Sequence, residues 1–179
     1  MLIKILIILL LLCNLAWADT EIIVPTSDDS GWDNGHYTEI DEGSTPNDGD
    51  LISEATKSTA ITGSLSDLVT ADADDTYNYI IIHGRSDMTG TPNDEYVEFK
   101  ITDGVDTNTL NGGNNASFIT DSSGQITNHN SYAEINALTY TITSKAIGGE
   151  SVTLWRCSDF WIEVNYTPVE ASSRRRMIL

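Results

Sequence analysis

Residues 77–85 read Y-N-Y-I-I-I-H-G-R, and this stretch says more about the fold than any other. Successive side chains of an extended chain point to opposite faces, which puts Tyr77, Tyr79, Ile81 and His83 on one face and Ile80 and Ile82 on the other. A strand that is apolar on both sides belongs in the middle of a layered β structure. Residues 95–103, E-Y-V-E-F-K-I-T-D, alternate more strictly, with Val97, Phe99 and Ile101 facing a core and Glu98, Lys100 and Thr102 facing water. Leu138, Tyr140 and Ile142 mark a third strand face, and Phe160, Ile162, Val164 and Tyr166 a fourth. Trp155 and Cys157 share a face of the strand before it and are expected to pack inward.

Shorter extended candidates lie at 36–42, 51–55, 60–65, 117–120 and 124–127, while 103–115 reads as a loop with two glycine turns. The motif S-x-x-V near residue 66 leaves room for a single helical turn. No segment sustains a helical period. The pattern is that of an all-β antiparallel sandwich or jelly roll of about eight strands.

The N-terminus has a different character. Lys4, the apolar run 5–12 and the small-x-small triplet Ala16-Trp17-Ala18 form a secretory leader. The run is too short for a ~30 Å hydrocarbon core, which takes about 20 apolar residues. The expected organisation is a signal helix over 1–18, an extended arm over 19–27, a β-sandwich over 28–168 and a basic tail over 169–179. Cleavage after Ala18 leaves 161 residues, enough for one well-formed domain. The expected location is secreted or extracellular, with the periplasm and cell surface as variants and no membrane contact in the mature form.

The chain holds 27 acids against nine bases, and residues 19–173 contain all the acids but only Lys57, Arg85, Lys100, Lys145 and Arg156 as bases. Such a body repels phosphate backbones, so no nucleic-acid partner is expected. Cys13 leaves with the leader and Cys157 remains alone, which excludes an internal disulfide in the mature chain.

No H-E-x-x-H, G-x-S-x-G or phosphate loop is present, and catalysis is not expected. His83 ends its strand next to Arg85 and Asp87, and the three form a candidate ligand site; a hydrolase using His83 as base is the enzymatic alternative. Acidic clusters at Asp28, Asp29 and Asp33, at Asp41-Glu42, at Asp48 and Asp50, and at Asp72, Asp74 and Asp75 offer the oxygens that Ca²⁺ takes, or are simply a solvated surface. Trp32, in a polar loop, is the candidate sugar platform. Ile22, Ile23 and Val24 in the arm, with Arg174, Arg175 and Arg176 in the tail, are the candidates for self-assembly: the arm to extend a neighbour's sheet, the arginines to dock on its acidic body.

Trp32 with Y-T-E-I-D-E at 37–42, P-N-D at 46–48, D-L-I-S at 50–53, N-A-L at 136–138 and W-I-E-V-N-Y at 161–166 resemble a loose group of uncharacterised β-sandwich proteins of bacterial and phage genomes. The closing arginine run and short apolar end are similar too. The resemblance implies a jelly-roll fold and a structural or adhesive role, often in a virion, although a secretory leader departs from assembly in the cytoplasm. Three functions are therefore expected in turn: an extracellular structural or surface-interaction protein binding copies of itself or surface glycans, a carbohydrate-binding module using loop aromatics and Ca²⁺, and a phage structural or decoration protein.

Overall fold

The central stretch 77–85 lies inside a 15-residue strand, and the computed structural model pairs it with a 16-residue strand near the C-terminus. The structure describes residues 17–29, 31–45, 49–90, 94–147 and 152–169. The described strands are β1 (Asp19–Ile23), β2 (Ile52–Glu54), β3 (Ala60–Ser64), β4 (Thr76–Gly90), β5 (Glu95–Thr102), β6 (Thr107–Asn111), β7 (Ile119–Ser122), β8 (Thr139–Ala146) and β9 (Val152–Thr167). A five-residue helix, α1 (Tyr132–Asn136), precedes β8. The leader before Trp17 lies outside the described residues, as do Asp48 and Arg174, Arg175 and Arg176.

All pairings are antiparallel and fall into two sheets. One runs β1-β9-β4-β7, with β2 also on β9; the other runs β3-β8-β5-β6. Their inner faces share one core, in which Phe160, Ile162, Val164, Ile80 and Ile82 of the first sheet meet Val97, Phe99, Ile101, Tyr140 and Ile142 of the second. Phe99 and Phe160 stack with centroids 5.8 Å apart. Gly84 lies opposite them, where a Cβ would run into the Phe99 ring. The β-sandwich is the expected one.

Several local readings change. A register shift between Tyr77 and Tyr79 turns Tyr77 inward, so it is buried with Ile80 and Ile82 rather than sharing the His83 face. Residues 36–42 form no strand; Tyr37–Glu39 is a 3₁₀ turn closed by the Glu39 carboxylate, which accepts the His36 N–H at 2.6 Å. Part of the expected 103–115 loop is β6, whose alternate residues are mostly polar and gave no apolar period. No helical turn forms after residue 66. There the N–H groups of Val69, Thr70 and Ala71 converge on the Glu21 carboxylate at 2.5–3.1 Å.

The arm also differs from its expected form. Residues 19–23 pair with residues 162–166 of the same chain, and Ile23 is wholly buried. Val24 donates its N–H to Ser66 Oγ at 3.2 Å. The apolar residues of the extended arm add a strand to their own sheet, of which β1 is an outermost member.

Candidate functional site

Trp32 belongs to the core. It is 4% exposed, and its Nε1 donates to the Thr59 carbonyl at 3.2 Å. A covered indole has no face for a pyranose, so the sugar platform expected there is corrected to a packing residue.

The acidic clusters brace loops. Asp28 accepts the Tyr37 N–H at 2.5 Å and faces His36 Nδ1 at 3.1 Å. Asp29 accepts the Thr62 N–H at 2.9 Å, and Asp33 accepts the Ala55 N–H at 3.3 Å. Asp50 is exposed near Glu42, on which its charge acts. Among the described residues no three His, Cys, Asp or Glu side chains converge on one point.

His83, Arg85 and Asp87 are brought together on the outer face of β4, opposite β7 and β9. The His83 ring lies flat on Trp161, with centroids 4.6 Å apart and planes 5° from parallel. Its Nδ1 faces Ser122 Oγ at 2.8 Å, and its Nε2 stands 3.7 Å from the Glu163 carboxylate. Burial holds its pKa below the usual imidazole value, against the opposing pull of Glu163. Hydroxyl, imidazole and carboxylate are the groups of nucleophilic hydrolysis. Here the imidazole–carboxylate gap is too long for a hydrogen bond, and the Ser123 N–H, the donor next to Ser122, is taken by the Ile82 carbonyl at 2.9 Å. Asp87 is engaged by Arg156 through both Nε (2.6 Å) and Nη2. The guanidinium groups of Arg85 and Arg156 lie 5.8 and 5.2 Å from the centre of the Phe118 ring, a cation–π arrangement. The three residues read as a ligand site are largely engaged with one another's neighbours.

Two clefts open elsewhere. The smaller, about 230 Å³, lies between the 103–106 turn and α1. Behind it, buried His129 reaches Asp103 Oδ2 at 3.1 Å and Asn108 Oδ1 at 2.8 Å. The N–H groups of Val105 and Asp106, and then His129, hold the Asp103 carboxyl below its ordinary pKa. That network is closed on itself and positions the turn.

The larger cleft, about 310 Å³, lies where the connections β4–β5, β6–β7 and β8–β9 meet. Its described lining is Asp94, Glu95, Tyr96, Asn111, Gly112, Asn114 and Ile147. The wall is pre-formed. Gly112 donates its N–H to the Val97 carbonyl at 2.8 Å, Asp121 takes the Gly113 N–H at 2.6 Å, and the Met88 N–H bonds the Asn115 carbonyl at 2.8 Å. A Cβ on Gly112 would stand 2.9 Å from that Val97 carbonyl, so close approach requires glycine. None of these residues was singled out as a site. The available signals were turn chemistry alone: T-P-N-D ending at Asp94 and N-G-G beginning at Asn111.

No protein-family model matches the chain, and a search of curated proteins finds no match. Several solved structures align with it at low identity and low TM-score. One described as truncated AlyQ with CBM32 and alginate lyase domains is 13% identical with a TM-score of 0.43, covering 87% of this chain and 35% of that one. A family two carbohydrate esterase from Cellvibrio japonicus is 7% identical with a TM-score of 0.36, covering 87% and 37%. A structure of tomato aspermy virus is 11% identical with a TM-score of 0.33, covering 75% and 86%. The chain thus spans about a third of the length of the first two.

Proposed function

We propose that this protein is a secreted, non-catalytic jelly-roll module that binds a neutral or amino-sugar oligosaccharide in the 310 Å³ cleft. The strand order β1-β9-β4-β7 over β3-β8-β5-β6, with β2 as an addition, supports the jelly-roll assignment, because most consecutive strands cross between sheets. The cleft carries the functional reading. It combines the Asp94 carboxylate, two side-chain amides, a tyrosine and an isoleucine on strand ends and loops held by their own hydrogen bonds, while buried Glu95 accepts the Asp94 N–H. Sugars need that mixture, with directional acceptors and donors for hydroxyls and a ring for the apolar face. Asp94 and the acidity of the chain disfavour uronic acids and phosphorylated glycans. Export rests on the leader; among the described residues no helix is long and apolar enough to cross a membrane.

The test is a glycan array followed by calorimetry on the hits, with wild type, Tyr96→Ala and Asn114→Ala. Both variants are expected to lose at least about tenfold in affinity while keeping the melting temperature within about 2 °C, since neither side chain belongs to the core. Wild-type affinity in both variants would sink the cleft as the binding site.

One observation favours assembly as a second reading. The two outermost strands of the larger sheet each expose an isoleucine, Ile22 on β1 and Ile119 on β7, at 36% and 45%. Such edges invite pairing with another copy or with a virion lattice. Light scattering on wild type and Ile119→Lys separates the readings, with a monomer in both cases ruling assembly out.

A further inference from the structure

The edge of β9 is paired at two places and interrupted between them. β1 takes residues 162–166, β2 takes 155–157, and the register with β4 shifts at the same place. Residues 40–43 close the gap. The Phe160 N–H donates to the Ile40 carbonyl at 3.1 Å, and buried Gly43, at φ 71°, backs onto Ile22 and Val24.

Beneath that closure lies Asp159. It is wholly buried, and neither carboxylate oxygen has a hydrogen-bond partner in the protein. The backbone N–H groups of Phe160 and Gly43 are the donors that act on it, and the first of them is given to the Ile40 carbonyl. Glu42 Oε2 is likewise buried without a partner. The strongest charges acting on Asp159 are Glu42 and Asp41, and those on Glu42 are Asp41, Asp50 and Glu39. Burying one uncompensated carboxylate costs several kcal/mol. Two such groups, with the charge of Glu42 acting on Asp159 and further acids around them, require positive charge from outside the chain or a proton.

We propose that Asp159 and Glu42 form a binding site for a hard divalent cation of the Ca²⁺ class, closed over by residues 40–43. Three orphan carboxylate oxygens suit such an ion, which completes six to eight ligands with carbonyls and water. A soft metal is disfavoured. The neighbouring Cys157 is turned away to the backbone, its Sγ–H donating to the Asp159 carbonyl at 3.4 Å. Bound there, the ion ties the 40–43 stretch to β9 and staples the sheet edge between β1 and β2. This site is separate from the cleft, so a glycan titration and an ion titration fail independently.

The test uses the full mature chain stripped with EDTA at pH 7.5 and titrated with CaCl₂, followed by calorimetry and melting. Wild type is expected to bind one ion and to gain about 5–10 °C in Tm at Ca²⁺ a hundredfold above its Kd, reversed by EDTA. Asp159→Asn and Glu42→Gln should each weaken binding at least tenfold. In EDTA, Asp159→Asn should melt no lower than wild type, because it removes the uncompensated charge. No heat and no shift with Ca²⁺, Mg²⁺ or Mn²⁺ would overturn the site, as would an unchanged response in both variants. A wild type that is stabilised only by acidification would show that a proton takes the place of the ion, and would overturn it equally.

Discussion

β9 presents two faces built from one run of alternating residues, and they are buried by different means. Phe160, Ile162, Val164 and Tyr166 meet the opposite sheet, and each is at most 2% exposed. Asp159, Trp161 and Glu163 belong to the outside, yet Asp159 is wholly buried and Trp161 is 6% exposed. Their cover is the 40–43 stretch and the His83 ring rather than a sheet. The inner face is apolar and complementary in shape. The outer face is polar, titratable and, at Asp159, short of partners. Sheet-on-sheet packing selects hydrophobicity, whereas a loop lying on a sheet can bury whatever chemistry the strand happens to carry.

Three substitutions sharpen this contrast. Phe160→Ala removes a ring stacked on Phe99 and packed against Tyr140, and should destabilise by about 3–5 kcal/mol in urea unfolding. A cost below about 1 kcal/mol would mean that the inner face is not a close-packed core. Gly84→Ala forces a methyl group toward Phe99 and should cost about 1–3 kcal/mol, as overpacking does. The smallest effect belongs to the outer face and depends on pH. His83 has a folded pKa below its ordinary 6.5, so the unfolded chain takes the proton first as pH falls. Its contribution is complete above pH 6.5 and declines below it, toward the lowered folded value. His83→Gln should flatten the wild-type loss of Tm in that window; an identical profile in both proteins would show that burial of this imidazole carries no linkage.

Legibility follows the same division. β5, β8 and β9 announced themselves because their inward residues repeat every second position against polar neighbours, and β4 because its run 79–82 is apolar on both faces. β6 was missed because Thr107, Asn108 and Thr109 carry no such contrast, with Leu110 its single buried residue. α1 was missed because five residues are too few to show a period; its start is fixed instead by Ser131, whose side chain accepts the Glu134 N–H. Trp32 was misplaced because its polar surroundings in sequence hid the Thr59 carbonyl, 27 residues away, that receives its indole N–H. The cleft was invisible as a unit. Asp94, Gly112 and Ile147 come from three separate connections, and only closure of both sheets brings them within reach of one ligand.

Residues 77–85 and their counterparts were enough to establish an antiparallel β-sandwich, because the two-residue period of an extended chain couples every side chain to a face. The charge balance likewise follows from residue counts and needs no fold. Which polar groups are covered, and by what, depends on contacts between residues far apart in the chain. The Ile40 carbonyl meets the Phe160 N–H across 120 positions, and that contact is what places Asp159 out of water beside Glu42. Local patterning carries no information about such a meeting, since its driving force is the closure of a sheet edge elsewhere in the molecule.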